Sequence, residues 1–473
     1  MKQYDLIVIG TGSAMNLVDP MLRRNPKMKI AVIDKDEPGG ICLTRGCIPS
    51  KILLYPAELV RTLEEAKDLG VDADIKNVDF EKIMERMRTL IHRDIDAIRE
   101  GLSSSPNIDY YPSVAEFVSP YTLKVDGETV TSKMIFLCLG SKPVIPPIRG
   151  LQETGYLTSD TVLGLTHLPS SLAIVGGGYI AAEYGHFFSS MGSQVTILGR
   201  NARFLHDEEP EVSALAKSEL GKHMSIFADH EVTEAERTSG GRKRLTVHDR
   251  VSGADMQVES DEVLVAAGRG PLTDILHPER AGIDTTDDGW IAVDDSLETS
   301  QPNVWAFGDA DGRHLFKHAA NYESGIVYLN AVLKRKATVD YHAMPHAVFT
   351  YPEIASVGLK EEEAVRAFGD SVLIGFHRYE DTAKGEAMNT KDCFVKVIVD
   401  GQTRRILGAH IIGPNASILI QEIIDVMHTP GMSIDTVDEA IHIHPSLSEV
   451  VQRAFGALMP VEHYHEHVLR TPH

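Results

Sequence analysis

Residues 4–12 read Y-D-L-I-V-I-G-T-G, an unbroken apolar run of buried parallel-strand type that passes directly into a Gly-x-Gly turn. A second apolar run, I-A-V-I-D (30–34), closes the unit. Glycines at 10 and 12 let backbone N–H groups approach a pyrophosphate, and Asp34 at the second strand's end is placed to accept hydrogen bonds from ribose hydroxyls. This is the grammar of a dinucleotide-binding βαβ unit. Its third glycine is missing, because Ala14, Met15 and Asn16 fill that stretch. Asp19-Pro20 reads as a helix N-cap followed by proline at the first helical position, which predicts a longer loop and a late-starting helix.

The same grammar returns in S-L-A-I-V-G-G-G-Y-I-A-A-E-Y-G (171–185), where a strand runs into Gly176, Gly178 and Ala181, with V-T-I-L-G-R (195–200) as its second strand. Two such units imply two nucleotides, and the direct use of two is to pass a hydride between them. A carboxylate at the end of the second unit's second strand would bind a ribose 2′-OH and repel a 2′-phosphate. Gly199 stands there instead, followed by Arg200, Arg203 and His206, a pattern that favours NADPH over NADH or else marks a solvated loop.

Charge and composition narrow the setting. The 473 residues carry 46 Lys+Arg against 68 Asp+Glu, a formal charge of −22, which argues against nucleic acid and anionic membranes as partners. No apolar run approaches the roughly 20 residues that span a bilayer, and the N-terminus lacks a signal-peptide pattern, so a cytoplasmic protein is expected. Four cysteines are too few for a disulfide-stapled scaffold. Two of them, Cys42 and Cys47, sit in G-I-C-L-T-R-G-C-I-P-S-K (40–51), where redox work or metal binding are the open readings. Zinc would need two further ligands at suitable spacing, and no second close Cys or Cys/His pair supplies them. The tail H-Y-H-E-H (463–467) reads as a solvated segment able to bind adventitious metal.

The G-G-x-C-x-x-x-G-C-I-P-S-K motif lies between the two nucleotide units, followed in order by F-L-C-L-G-S-K-P (136–143), V-L-V-A-A-G-R (263–269), N-V-W-A-F-G-D (303–309) and H-I-H-P-S-L-S-E (442–449). In these motifs nearly the whole chain resembles the class I pyridine nucleotide–disulfide oxidoreductases, which include dihydrolipoamide dehydrogenase and glutathione, mycothione and mercuric reductases. G-T-G-S (10–13) and G-A-H-I-I-G-P-N-A-S (408–417) look most like mycothione reductases. Mercuric reductase is disfavoured because no C-terminal cysteine pair is present.

The resemblance implies FAD on the first unit, NAD(P)H on the second and a redox-active Cys42–Cys47 disulfide. A C-x4-C pair would close only a small loop, which suits exchange better than stapling. Cys47 precedes a helix start, where the dipole and nearby Lys51 favour a thiolate, the species that exchange chemistry needs. By family analogy Cys47 is the charge-transfer thiolate against the flavin, Cys42 exchanges with substrate, and Lys51 pairs with Glu183 beside the ring. Gly10, Gly12, Asp34, Gly40, Lys51, Ala115, Gly140, Ser141, Asp309 and His318 would bind FAD. Gly176, Gly178, Tyr179, Ile180, Glu183, Arg200, Arg203, Val232, Gly268 and Arg269 would bind the nicotinamide nucleotide, with Tyr179 either an aromatic gate or core packing. Arg45, in the redox loop, would favour an anionic substrate or be a surface residue.

Thiol–disulfide exchange needs a group that protonates the leaving thiolate, and histidine has the suited pKa. His444 is the candidate, biased toward extended backbone by Pro445, with Glu449 orienting the imidazole. Ser446–Glu449 also reads as a capping box, and His442 as structural. In the family the His–Glu pair reaches the other subunit's disulfide, which makes the site a property of a homodimer, and the apolar face of I-L-I-Q-E-I-I-D-V-M (418–427) suits a core or that interface. The expected fold is α/β, with two Rossmann-like dinucleotide-binding domains and a C-terminal α+β dimerisation domain. The boundaries expected are 1–145 (FAD), 146–270 (NAD(P)H), 271–340 (a segment completing the FAD domain) and 341–473 (interface). The expected activity is NAD(P)H-driven reduction of a small disulfide. Oxidation of protein-bound dihydrolipoamide with NAD is the alternative, and a non-catalytic FAD-binding protein the remote one.

Overall fold

The structure, a computed structural model, describes residues 1–468. Its first sheet is five parallel strands in the order Val304–Ala306, Ile135–Leu137, Leu6–Ile9, Ile30–Ile33 and Ile108–Tyr111. Leu6 through Ile9 and Ile30 through Ile33 are all buried, as strands covered on both faces must be. A strand some 300 residues downstream thus completes the sheet that the N-terminus starts. The second parallel sheet orders Leu157–Thr158, Glu262–Val265, Ser171–Val175, Gln194–Leu198 and Ser225–Phe227.

The two sheets turn into their glycine loops in the same way. Gly10 has φ +100°, and a Cβ there would meet the Cys138 carbonyl oxygen at 2.1 Å; Gly176 has φ +134°, and its Cβ would meet the Ala266 carbonyl at 2.1 Å. Only glycine allows each loop to pass that close to the neighbouring strand's end.

The late helix start is corrected. The helix runs Met15–Arg24, directly from the glycine loop, with Pro20 inside it. An interior proline costs about 3 kcal/mol, but Leu17, Val18 and Met21 are buried, and each contributes roughly 1.5–3 kcal/mol. Core burial outweighs the local signal.

Two long helices, Cys47–Glu65 and Phe80–Ser104, pack on each other and on the helix Tyr179–Met191. The C-terminal part is a six-stranded antiparallel sheet, Pro345–Val348, Ile354–Gly358, Arg405–Ile412, Phe394–Asp400, Val372–Arg378 and Leu458–Pro460. Helix Ala416–Met427 buries Leu419, Ile420, Ile423, Ile424 and Met427 against it and leaves Ile418 exposed. Among the described residues, no helix is long and apolar enough to cross a membrane.

Candidate active site

A cleft opens where the two nucleotide units meet, walled by the first unit's glycine loop and by the start of the second unit's helix Tyr179–Met191. Gly10 and Gly12 line it from the first loop, Cys42 and Cys47 from the redox segment, and Tyr179 and Glu183 from the second unit. Gly40, Gly140, Ile180, Arg269 and Asp309 complete the set drawn from the sequence motifs.

The lining fits a dinucleotide with a long polar middle. Asp34 receives hydrogen bonds at Oδ2 from Thr11 N (2.8 Å) and Thr11 Oγ1 (2.5 Å), which fixes the carboxylate at the strand end facing both the cleft and an adjoining pocket. Ala115, Leu272, Ile275 and Leu276 line that pocket, a flat apolar slot suited to a base. Farther along, Ser141 Oγ donates to Asp309 at 2.5 Å and accepts from Arg269 Nε at 2.8 Å. Burial pushes the Asp309 carboxyl up, against the opposing pull of Ser141 and Arg269.

Cys42 and Cys47 are free thiols here. Cys47 is the first residue of its helix. Its pKa is lowered to about 7, first by a hydrogen bond from the Cys42 thiol and also by the Lys51 charge, which together outweigh burial and Glu183. The Cys42 thiol is pushed up in turn, by that hydrogen bond first and then by burial. Cys47 is therefore the thiolate of the pair. Lys51 Nζ lies 2.8 Å from each carboxylate oxygen of Glu183 and 4.7 Å from the centre of the Phe349 ring, and Phe349 N donates to the same carboxylate at 3.1 Å. Tyr179 begins the second unit's helix and packs against Phe316 with ring centroids 6.3 Å apart.

His318 and Val232 stand outside the cleft wall. His318 is exposed, and its Nε2 bonds the Pro345 carbonyl at 2.8 Å; its neighbour Lys317 is the one that lines the cleft. Val232, on the strand His230–Arg237, is buried in a core with Val175, Leu198 and Val247. Arg269 binds Ser141 through both Nε and Nη2 and so bridges toward the first unit. Arg45 is held by Asp36 at 2.5 Å and Asp160 at 3.3 Å. Gly268, at φ +114°, precedes the short strand Arg269–Pro271, which pairs with Ser141–Pro143. Arg200 and Arg203 are exposed and make no ion pair among the described residues, and Arg250 Nη1 donates to the Arg200 carbonyl at 2.6 Å.

His444 Nδ1 is 3.0 and 3.2 Å from the two Glu449 oxygens, which leaves Nε2 as the nitrogen open to proton exchange. The imidazole hydrogen bond, followed by Ser446 N at 3.1 Å, lowers the Glu449 pKa. Half of the capping box is thus present. The helix itself starts one residue later than that motif implies, at Ser448, and Ser446 Oγ bonds the Ile443 carbonyl instead. The His444–Pro445 peptide is cis. This pair is not part of the cleft wall of its own chain. The His444 side chain is 68% exposed, flanked by the fully exposed Ile441 and the exposed Ile443, whereas Glu449 is buried.

Known proteins share this architecture. The model of the pyridine nucleotide-disulphide oxidoreductase family matches residues 4–324, and that of the family's dimerisation domain matches residues 344–455. Mycothione reductase of Mycobacterium tuberculosis is 35% identical over 97% of this chain and 100% of its own length. Dihydrolipoyl dehydrogenase of Chlamydia pneumoniae is 33% identical over 98% of both. The solved HOCl-induced flavoprotein disulfide reductase RclA from Escherichia coli, as a Cu(II) complex, superposes with a TM-score of 0.85 at 29% identity, covering 96% of this chain and 99% of that one.

Proposed function

The chain belongs to the pyridine nucleotide-disulphide oxidoreductases, which work with FAD and a pyridine nucleotide on disulfides or dithiols as homodimers, and from that membership we propose an NADPH-dependent reductase of a small disulfide. The observation that carries the reading is the placement of Cys42 and Cys47 in a cleft lined both by the first glycine loop and by the start of the helix that follows the second.

FAD, when bound, is the carrier that takes a hydride from the pyridine nucleotide and passes two electrons to the cysteine pair. Gly10, Gly12, Asp34 and Asp309 would hold it, and Lys51 would keep Cys47 ionised. Cys42 gives its thiol proton to His444 and attacks one sulfur of the external disulfide, forming a mixed disulfide as the external S–S bond breaks and one thiolate leaves. Cys47 then attacks Cys42, releasing the second thiolate and restoring the Cys42–Cys47 bond. His444, held by Glu449, protonates the departing sulfur. Because this pair stands apart from its own chain's cleft, we assign it to the cleft of the partner subunit, with exposed Ile441 and Ile443 at the interface.

The NADPH preference rests on Arg200, Arg203 and Arg250, three cations at the second unit's strand end that have no carboxylate partner among the described residues. We assign domains to residues 1–145, 146–270, 271–340 and 341–473, and a reducing, cytoplasmic setting to the thiol pair. The second reading, dihydrolipoamide oxidation with NAD, rests on the 33% identity to a dihydrolipoyl dehydrogenase.

Steady-state assays of the purified holoprotein with NADPH and NADH, across small disulfides and lipoamide, test both. Faster turnover with NADPH and a small disulfide supports the first. Preference for NADH with lipoamide replaces it by the second, and no turnover with a full complement of flavin leaves a non-catalytic flavoprotein.

A further inference from the structure

Four cations line the cleft: Arg45, Lys51, Arg269 and Lys317. Arg45 is paired with Asp36 and Asp160, Lys51 with Glu183, and Arg269 with Asp160. Among the described residues, Lys317 alone of the four makes no ion pair. Its Nζ donates instead to Ser13 Oγ at 2.9 Å, and that hydroxyl donates onward to Asn321 Oδ1 at 3.0 Å. Asn16 Nδ2 donates to the same Asn321 oxygen at 2.9 Å. The lysine is thereby aimed at the glycine loop from across the cleft.

The helix that carries this ammonium bears on its role. Lys317 is the first residue of the helix Lys317–Val327, at the positive end of its dipole, where a cation is disfavoured and an anion stabilised. Met15 N bonds the Gly12 carbonyl (3.3 Å), Asn16 N that of Ser13 (3.1 Å) and Leu17 N that of Ala14 (3.1 Å), so these opening N–H groups already have backbone partners.

We propose that Lys317, reaching over from a separate helix, supplies the positive charge that binds the FAD diphosphate at the first glycine loop, with Ser13 and Asn321 holding its ammonium in place. This rests on the family's use of FAD, and it accounts for the Ser13, Asn16 and Asn321 network as the support of that charge.

The test uses apoprotein prepared by releasing flavin from the full chain, titrated with FAD and, separately, with riboflavin, which has the ring but no phosphate. Lys317→Met should weaken FAD binding about tenfold to a hundredfold, the loss of one charge-assisted contact, and leave riboflavin binding unchanged. Lys317→Arg should stay within about threefold of wild type, because the charge is kept. Ser13→Ala, which removes only the hydroxyl that steers the ammonium, should lose several-fold and carries the test should K317M not fold. Equal FAD affinity in wild type, K317M and S13A overturns the assignment, as does an equal loss of FAD and riboflavin. Wild-type protein that binds no FAD overturns the cofactor reading and this assignment with it, a result distinct from the others.

Discussion

Lys51 Nζ lies 2.8 Å from both carboxylate oxygens of Glu183, so the helix that begins with Cys47 is tied by an ion pair to the helix that follows the second glycine loop. The Glu183 side chain is 7% exposed and that of Lys51 35%. Removing the lysine leaves a buried carboxylate with Phe349 N–H as its remaining donor. A fully buried pair broken this way costs about 3–5 kcal/mol; with Lys51 a third exposed, Lys51→Met should cost about 2 kcal/mol. Adding Glu183→Gln removes the stranded charge and should recover most of the loss. Thermal unfolding of the holoprotein, single against double variant, checks this, and a double variant no more stable than K51M would disprove it.

A second prediction concerns the thiol pair in its reduced form. The Cys42 hydrogen bond is the leading cause of the low Cys47 pKa, ahead of Lys51. The Cys47 thiolate should therefore appear as pH rises through about 7 and disappear below it. Cys42→Ser keeps a hydroxyl donor and should hold the midpoint within about one unit, whereas Cys42→Ala should move it up toward the ordinary thiol range. The rate of iodoacetamide alkylation at Cys47, followed by mass spectrometry against pH, reads the midpoint directly. The same midpoint in C42A and wild type would remove the Cys42 contact as the cause.

The two strand–glycine units were legible because continuous burial on both faces leaves an unbroken apolar run, as in Leu6–Ile9 and Ser171–Val175. The His444–Glu449 pair was legible because its partners are five residues apart. What the sequence hid depends on distance or on side-chain direction. Pro20 signalled a helix start that the burial of Leu17, Val18 and Met21 overrode. His318 and Lys317 are adjacent at a helix start, and no periodicity says which of them turns toward the cleft. The F-K-H stretch did contain a signal, a cation one residue before the histidine and close to a glycine loop in the fold, but it has no meaning until the fold places it there.

The basic set at the second unit gives a third prediction. Arg200, Arg203 and Arg250 make no ion pair with any described carboxylate, and Arg250 steadies the Arg200 carbonyl. Replacing Arg200 and Arg203 with alanine should lower kcat/KM for NADPH by about tenfold to a hundredfold, as expected for lost charge-assisted phosphate contacts, while NADH is used as before. Steady-state kinetics with the two nucleotides measure it, and an equal loss for both would assign these arginines to the fold rather than to the 2′-phosphate.

The last prediction concerns a buried charge cluster that holds the second unit against the C-terminal sheet. Lys396 is fully buried on the strand Phe394–Asp400, with Glu209 and Glu361 oxygens each 2.7 Å and a Glu211 oxygen 3.1 Å from Nζ. Tyr464, from the helix Val461–His467, donates to Glu211 at 3.0 Å, and its ring centre lies 5.0 Å from the ammonium. The three carboxylates would suit a metal ion, and the lysine occupies the position of that cation. Burial alone would push the Glu209 carboxyl up, but Lys396 outweighs it and the net pKa is lowered. A carboxyl lowered in the folded state contributes stability above its unfolded pKa, and that contribution is lost as pH falls through the folded value. Lys396→Met should cost about 3–5 kcal/mol near neutral pH, because the charges it leaves are buried. It should also reverse the sign. With no lysine, burial raises the Glu209 pKa above its unfolded value, so the variant gains stability as pH falls and loses it as pH rises. The gap between wild type and K396M should then narrow steadily on acidification from about pH 7 toward the ordinary carboxylate range. Thermal unfolding of both holoproteins across that range measures the gap, and a constant difference would mean that Lys396 acts by packing and not by balancing these carboxylates.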